Sequence, residues 1–269
     1  MSVATPQAAA TPGTGLLPAG ATPTLRTRNL TKRFGGFTAV NDVTLDIAPG
    51  SRQALIGPNG AGKTTLINLL TGILRPTEGR ISLDDDDITP LPPNKRVHRG
   101  LVRTFQINTL FPRLTPLQAA SLAISEREAL GKVWWRTLRS CSWVADEAHA
   151  LLKQFNLAQY AHIDTAELPY GKQRLLEIVL ALAAKPRILL LDEPAAGVPE
   201  DESGELFEVI AGLPREMTVL FIEHDMDLVF RFAQRISVLV AGAVLVEGTP
   251  AEIAADPQVR AAYLGNSRV

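Results

Sequence analysis

The chain has 269 residues and a mass of 29.0 kDa, the size of one large domain or two small ones. It is 46% hydrophobic and 20% charged, which supplies a sizeable core and excludes disorder throughout. Lys plus Arg is 27 and Asp plus Glu is 28, a net charge of −1 that argues against a chain-wide basic surface for nucleic acid. The single cysteine, Cys141, excludes an internal disulfide and speaks against a cysteine-based zinc site. No apolar run approaches the ~18 residues that a membrane-spanning helix needs. No basic residue precedes Arg26, so the charged start of a secretory signal is missing. The expectation is a soluble protein of a reducing compartment.

Residues 1–24 are rich in Ala, Thr, Pro and Gly and read as a disordered tail. Order is expected from about Leu25. Val43, Leu45 and Ile47 alternate with polar residues, the pattern of a half-buried strand. Gln53 to Ile56 is a short apolar strand, and Thr64 to Leu74 reads as a helix. The acidic run Asp84, Asp85, Asp86, Asp87 lies between Ile81–Leu83 and Ile88. It reads as a solvated hairpin tip rather than a metal site, because neighbouring side chains on a tight turn diverge. Thr115-Pro116-Leu117-Gln118 and Thr249-Pro250-Ala251-Glu252 carry a capping-box pattern with proline at the first helical position. Residues 115–165 lack strand-like alternation and read as a helical insert. Then come a helix (171–184), a strand (188–192), a helix (200–212) and a strand (218–223). That alternation implies a parallel sheet with helices on its faces.

Gly57-Pro58-Asn59-Gly60-Ala61-Gly62-Lys63-Thr64-Thr65 fits G-x-x-x-x-G-K-[ST]. The glycines let the backbone curl so that successive N–H groups point at phosphate oxygens. The helix that follows presents its positive end to the same anion. Lys63 reaches the β- and γ-phosphates, and the Thr64 hydroxyl suits Mg²⁺. Ile188-Leu189-Leu190-Leu191 suits a strand buried on both faces and ends in Asp192-Glu193. In an α/β sheet, ligands bind beyond the carboxyl ends of the strands. Asp192 is therefore a candidate for Mg²⁺, and Glu193 for orienting or deprotonating a water.

Further motifs fall in order around these two. Phe34, in Lys32-Arg33-Phe34-Gly35-Gly36, suits either a strand-end core residue or a stacking aromatic. Gln106 ends Arg103-Thr104-Phe105-Gln106, and Leu168-Pro169-Tyr170-Gly171-Lys172-Gln173 precedes the 171–184 helix. His224 follows a strand in Phe221-Ile222-Glu223-His224-Asp225-Met226. Together they resemble the ATPase subunit of an ATP-binding cassette (ABC) transporter, over about residues 25–266. The resemblance implies a P-loop NTPase core with a parallel sheet, an antiparallel β subdomain and a helical insert at about 107–165. It makes residues 25–269 one nucleotide-binding domain.

The resemblance further implies ATP and Mg²⁺ as cofactors. It gives Phe34 the adenine-stacking place, Gln106 contact with Mg²⁺ and the attacking water, and His224 contact with the γ-phosphate. Glu193, His224 and Gln106 become the catalytic set, and Thr64, Gln106 and Asp192 the metal set. Gly171 belongs to the signature that closes over ATP held by a second subunit. That signature departs from the family pattern. Pro169 replaces Ser, Tyr170 replaces Gly, Lys172 replaces Gln, and Leu175 and Leu180 replace two arginines. Ala195-Ala196-Gly197-Val198 lies where the family has its cross-dimer loop, without that loop's Asp.

The tyrosine in the signature, Glu193-Pro194-Ala195-Ala196-Gly197, and Glu223-His224-Asp225-Met226 are similar to the importer branch for branched-chain amino acids, amides or urea. So is the stretch from Gly248-Thr249-Pro250 to Ala262-Tyr263-Leu264-Gly265. The implied partners are a second ATPase chain, transmembrane permease subunits and, indirectly, a periplasmic binding protein, with no nucleic acid. The implied location is peripheral, on the cytoplasmic face of the inner membrane. Trp134 and Trp135, with Arg136 and Arg139, either pack within the insert or meet a membrane subunit or lipid. Besides an exporter ATPase of lipid or polysaccharide, two alternatives remain. One is a catalytically weak partner in a mixed ATPase pair. The other is a non-transport ATPase of this fold, against which stand the single phosphate loop and the lack of heptads.

Overall fold

The computed structural model describes residues 24–104, 110–130 and 142–264. Gln106, Trp134, Trp135, Arg136, Arg139, Cys141 and residues 1–23 of the expected tail lie outside these.

Two sheets organise the chain. An antiparallel sheet has the order β2-β1-β4-β5, from β1 (Leu25–Phe34), β2 (Phe37–Ile47), β4 (Glu78–Leu83) and β5 (Asp86–Asp87). The second, six-stranded sheet has the order β10-β9-β3-β8-β7-β6. Its strands are β3 (Arg52–Ile56), β6 (Leu101–Arg103), β7 (Ile188–Asp192), β8 (Thr218–Ile222), β9 (Arg235–Val240) and β10 (Ala243–Gly248). All pair in parallel except β10, which returns antiparallel along β9.

Period-two alternation divides the core between the faces of this sheet. Ala54, Ile56, Leu189, Leu191, Val219 and Phe221 face one cluster, with the helices α5 (Tyr170–Ala183), α6 (Glu200–Ala211) and α7 (Met226–Phe232). Leu55, Ile188, Leu190, Leu220 and Ile222 face the other, with α1 (Lys63–Leu70) and the antiparallel sheet. Val43, Leu45 and Ile47 of β2 are buried there. A third, smaller cluster joins α3 (Pro116–Arg127) and α4 (Ser142–Gln154) through Ala120, Ile124, Val144 and Ala148, with Ala183 of α5. Arg127 of α3 and Lys185 beyond α5 both pair with Glu147 of α4, and hydrogen bonds from Arg127 hold its carboxyl down at about 2. These contacts fasten the helical insert to the nucleotide core.

Both capping boxes form. Thr115 caps α3 against Gln118, and Thr249 caps α8 (Pro250–Ala255) against Glu252. The acidic run sits on the β4–β5 hairpin, with its turn at Asp84-Asp85. Asp84 pairs with Arg187, Asp86 with Arg99, and Asp87 accepts from the Thr89 N–H. Among the described residues, no group of three or more His, Cys, Asp or Glu is arranged to hold a metal ion. No described helix is long and apolar enough to cross a membrane.

The helix expected over 64–74 stops at Leu70. The left-handed Gly72, at φ +80, follows the C-cap Thr71, and Arg96, on the short helix α2 (Pro93–His98), caps the carbonyls this leaves. The Arg96 guanidinium is buried and donates to the carbonyls of Leu69 and Leu70, each at 2.7 Å, and of Thr89 and Leu91, each at 3.0 Å. It satisfies carbonyls that a helix end leaves orphaned. Burial lowers its pKa to about 10, still protonated at neutral pH. Because α1 carries the phosphate loop, Arg96 fixes the far end of the helix that positions the site. Arg96→Leu strips four carbonyls of a donor and is expected to cost about 3 kcal/mol of folding stability in urea titrations. A loss below about 1 kcal/mol contradicts this role.

Candidate active site

Three parallel strands end at one level. Leu55 of β3 and Asp192 of β7 both register with Ile222 of β8. The phosphate loop, Asp192-Glu193 and Glu223-His224 therefore leave the same edge of the sheet. Among the sequence-nominated residues, the structure brings these three groups together.

The loop from Gly57 runs into α1, with Gly62 as its left-handed N-cap. Its glycines meet protein backbone as well as open space. A Cβ on Gly57 would strike the Leu239 carbonyl, and one on Gly62 would strike the Ala39 carbonyl. The Gly242 N–H also donates to the Ala61 carbonyl at 3.0 Å, pinning the loop to the β9–β10 turn. Asn59, Gly60 and Thr64 are exposed, Ala61 is buried, and Pro58 and Thr65 are intermediate. Lys63 Nζ is folded back onto the carbonyls of Gly57 at 2.7 Å and Pro58 at 3.1 Å. Burial pulls its pKa down, while the nearby Glu193 and Asp192 carboxylates pull it up.

Asp192 is ion-paired to Arg103 of β6, whose other nitrogen donates to Asn68 Oδ1 of α1 at 2.7 Å. This arginine was not singled out from the sequence, although it stands three residues before Gln106. The pairing shows a carboxylate set to meet a cation. Asp192 and the exposed Thr64 hydroxyl are hard oxygen donors of the kind Mg²⁺ takes.

Glu193 has φ +47, a left-handed backbone that costs a non-glycine residue about 1 kcal/mol. Such strain concentrates where function requires it. Its N–H donates to the Ile222 carbonyl at 3.0 Å, and its carbonyl accepts from Ala196 N–H at 3.0 Å. His224 is exposed, with Nδ1 at 3.7 Å from the Glu223 carboxylate. Glu223 itself is buried. Burial pushes its carboxyl up, and N–H donation from Ala195 and His224 opposes that shift. A carboxylate next to an apolar strand was the available signal for this residue.

Phe34 sits at the tip of the β1–β2 hairpin with 47% of its surface exposed, so it is no core residue. Lys32 Nζ lies 5.1 Å from its ring centroid. Gly171 lies in the first turn of α5, whose N-cap, Pro169, makes no side-chain hydrogen bond. A Cβ at Gly171 would collide with the Glu202 carboxylate.

The profile of the ABC transporter family matches residues 40–196. The chain belongs to this family, as its ATP-hydrolysing cassette. The profile of the branched-chain amino acid ATP-binding cassette transporters matches residues 243–268. The cassette is 42% identical to the high-affinity branched-chain amino acid transport ATP-binding protein BraF of Pseudomonas aeruginosa, covering 91% of this chain and 99% of that one. It is 41% identical to LivG of Escherichia coli over the same shares. Among solved structures, the ADP conformation of an ATP-binding cassette of an ABC transporter matches with TM-score 0.78 and 32% identity. That match covers 90% of this chain and 99% of that one. A dimeric bacterial ABC transporter cassette matches with TM-score 0.71 and 26% identity, covering 84% and 98%. The architecture expected of the family is the one observed, with a parallel core sheet, an antiparallel sheet and helices α3 and α4 at its side.

Glu193→Gln tests the expectation that this carboxylate takes a proton from water. Turnover is expected to fall at least ~10²-fold while ATP affinity stays within about threefold. A Glu193→Gln cassette hydrolysing ATP near the wild-type rate contradicts the assignment.

Proposed function

We propose that the cassette powers uptake of branched-chain amino acids or related small polar solutes, as a peripheral ATPase on the cytoplasmic face of the inner membrane. The observation that carries its chemistry is the common level at which β3, β7 and β8 end. Lys63 swings from its carbonyl contacts to the β- and γ-phosphates, and the loop N–H groups hold the same anion. Asp192 and Thr64 hold Mg²⁺, joined by Gln106. Bound there, the ion would supply charge neutralisation to the phosphate oxygens. Glu193 orients a water in line with that group and accepts its proton at a carboxylate oxygen. His224 stands on the neighbouring strand end, facing the γ-phosphate. Phe34 stacks on adenine.

Gly171 and the start of α5 close over ATP held by a second cassette. The dimeric relative supports that arrangement. Closure does work only because the closed pair binds ATP better than the open pair. The helical insert passes that movement to the transmembrane subunits, and a periplasmic binding protein supplies the solute. Leu122 of α3 and Trp143 of α4, both exposed apolar side chains, are the contact candidates on the described part of the insert. A second reading, a mixed pair in which the other chain supplies the working signature, is favoured by Pro169, which leaves the α5 N-terminus without a capping hydroxyl.

The test is solute uptake in cells whose only copy carries Lys63→Ala. Entry of radiolabelled leucine, isoleucine and valine is expected to fall at least ~10-fold, with sugar uptake unchanged. Wild-type entry of all three contradicts the substrate assignment.

A further inference from the structure

The short loop after Glu193 is held from both sides. On one side stands Glu223, the buried last residue before His224. Its Oε1 accepts the Ala195 N–H at 3.0 Å, and its Oε2 accepts the His224 N–H at 3.2 Å. One carboxylate therefore spans the loops that carry Glu193 and His224. On the other side stands the start of α5. The Ala196 carbonyl accepts from Tyr170 Oη at 3.0 Å and from Arg174 Nη2 at 3.3 Å. Arg174 also lies over the Tyr170 ring at 5.7 Å and pairs with buried Glu177 at 3.0 Å.

Glu193 occupies a left-handed conformation that an ordinary residue leaves unless its surroundings prevent it. The tight turn after it is closed by the Ala196 N–H donating to the Glu193 carbonyl. Within that turn, the Ala195 N–H points away from the turn's own bond. Glu223 is the group that receives it.

We propose that Glu223 is a positioning residue for ATP hydrolysis. Its carboxylate locks the turn that aims Glu193 and ties that turn to His224, while Tyr170 and Arg174 clamp the same turn to the signature helix. This rests on the reading of Glu193 as the group that activates water. Serving two N–H donors requires two acceptor oxygens on one rigid, buried side chain, which a carboxylate provides. Gln retains one acceptor and turns an NH₂ group towards the other donor. The clamp on Ala196 gives the signature helix a direct handle on the same turn within one chain. That handle uses residues of the departed signature, Tyr170 and the neighbouring Arg174.

Three measurements on the purified full chain test this. In nucleotide-free protein, Glu223→Ala is expected to speed amide hydrogen exchange across residues 193–197 and 222–226 by at least ~10-fold. Its kcat falls at least ~10-fold while the Kd for a fluorescent ATP analogue stays within about twofold, and Glu223→Gln falls between Ala and wild type. In the Glu193→Gln background, Glu223→Ala removes no further turnover, as coupled residues behave. Should the Ala variant fail to fold, Glu223→Gln carries the same comparisons.

Folded variants with turnover within about twofold of wild type overturn the proposal. So does a loss of turnover matched by an equal loss of ATP affinity, or losses that multiply with Glu193→Gln. Wild-type turnover in Glu193→Gln alone defeats instead the reading on which the proposal rests.

Discussion

The site depends on strand register. The phosphate loop at 57–65 meets Asp192-Glu193 and Glu223-His224, which follow it by more than a hundred residues and lie about thirty residues from each other. Parallel pairing of β3, β8 and β7 brings their ends to the level of Ile222. A slip of one residue in β7 would turn Leu189 and Leu191 to the opposite core and carry Asp192 away from the loop. Apolar packing on both faces of the sheet thus sets the alignment on which the chemistry relies. The structure spends its hydrophobic burial where positional accuracy is needed.

Around that edge, Lys63, Asp192 and Glu223 each have a counterpart within the chain. Lys63 rests on two carbonyls and lies near Asp192 and Glu193. Arg103 covers Asp192 and is itself held by Asn68. Glu223 is paid for by two backbone donors.

Much of this was legible in the sequence because the chemistry is local. The phosphate loop is contiguous, and the apolar run ending in Asp192-Glu193 reads directly as a buried strand with a carboxylate end. The two capping boxes and the acidic turn are equally local. The left-handed Gly72 that follows α1 is a local signal, whereas the cap on its carbonyls was not legible, because Arg96 reaches them from a separate helix 26 residues on. Arg103, Glu223 and Arg174 were hidden for the same reason. Their partners, Asp192, Ala195 and Ala196, meet them only through sheet register and helix packing. The helix expected over 171–184 is the observed Tyr170–Ala183 within a residue at each end, whereas the use of Tyr170 and Arg174 to grip a neighbouring loop was not legible.

The central claim is that this cassette closes over ATP against another cassette. Light scattering on Glu193→Gln, alone and mixed with any cassette that co-purifies with the wild-type chain, tests it most directly. The account predicts a mass near 29.0 kDa without nucleotide and twice that, or the sum of the two chains, with Mg-ATP. Bound ATP with no change of mass in either preparation would contradict it.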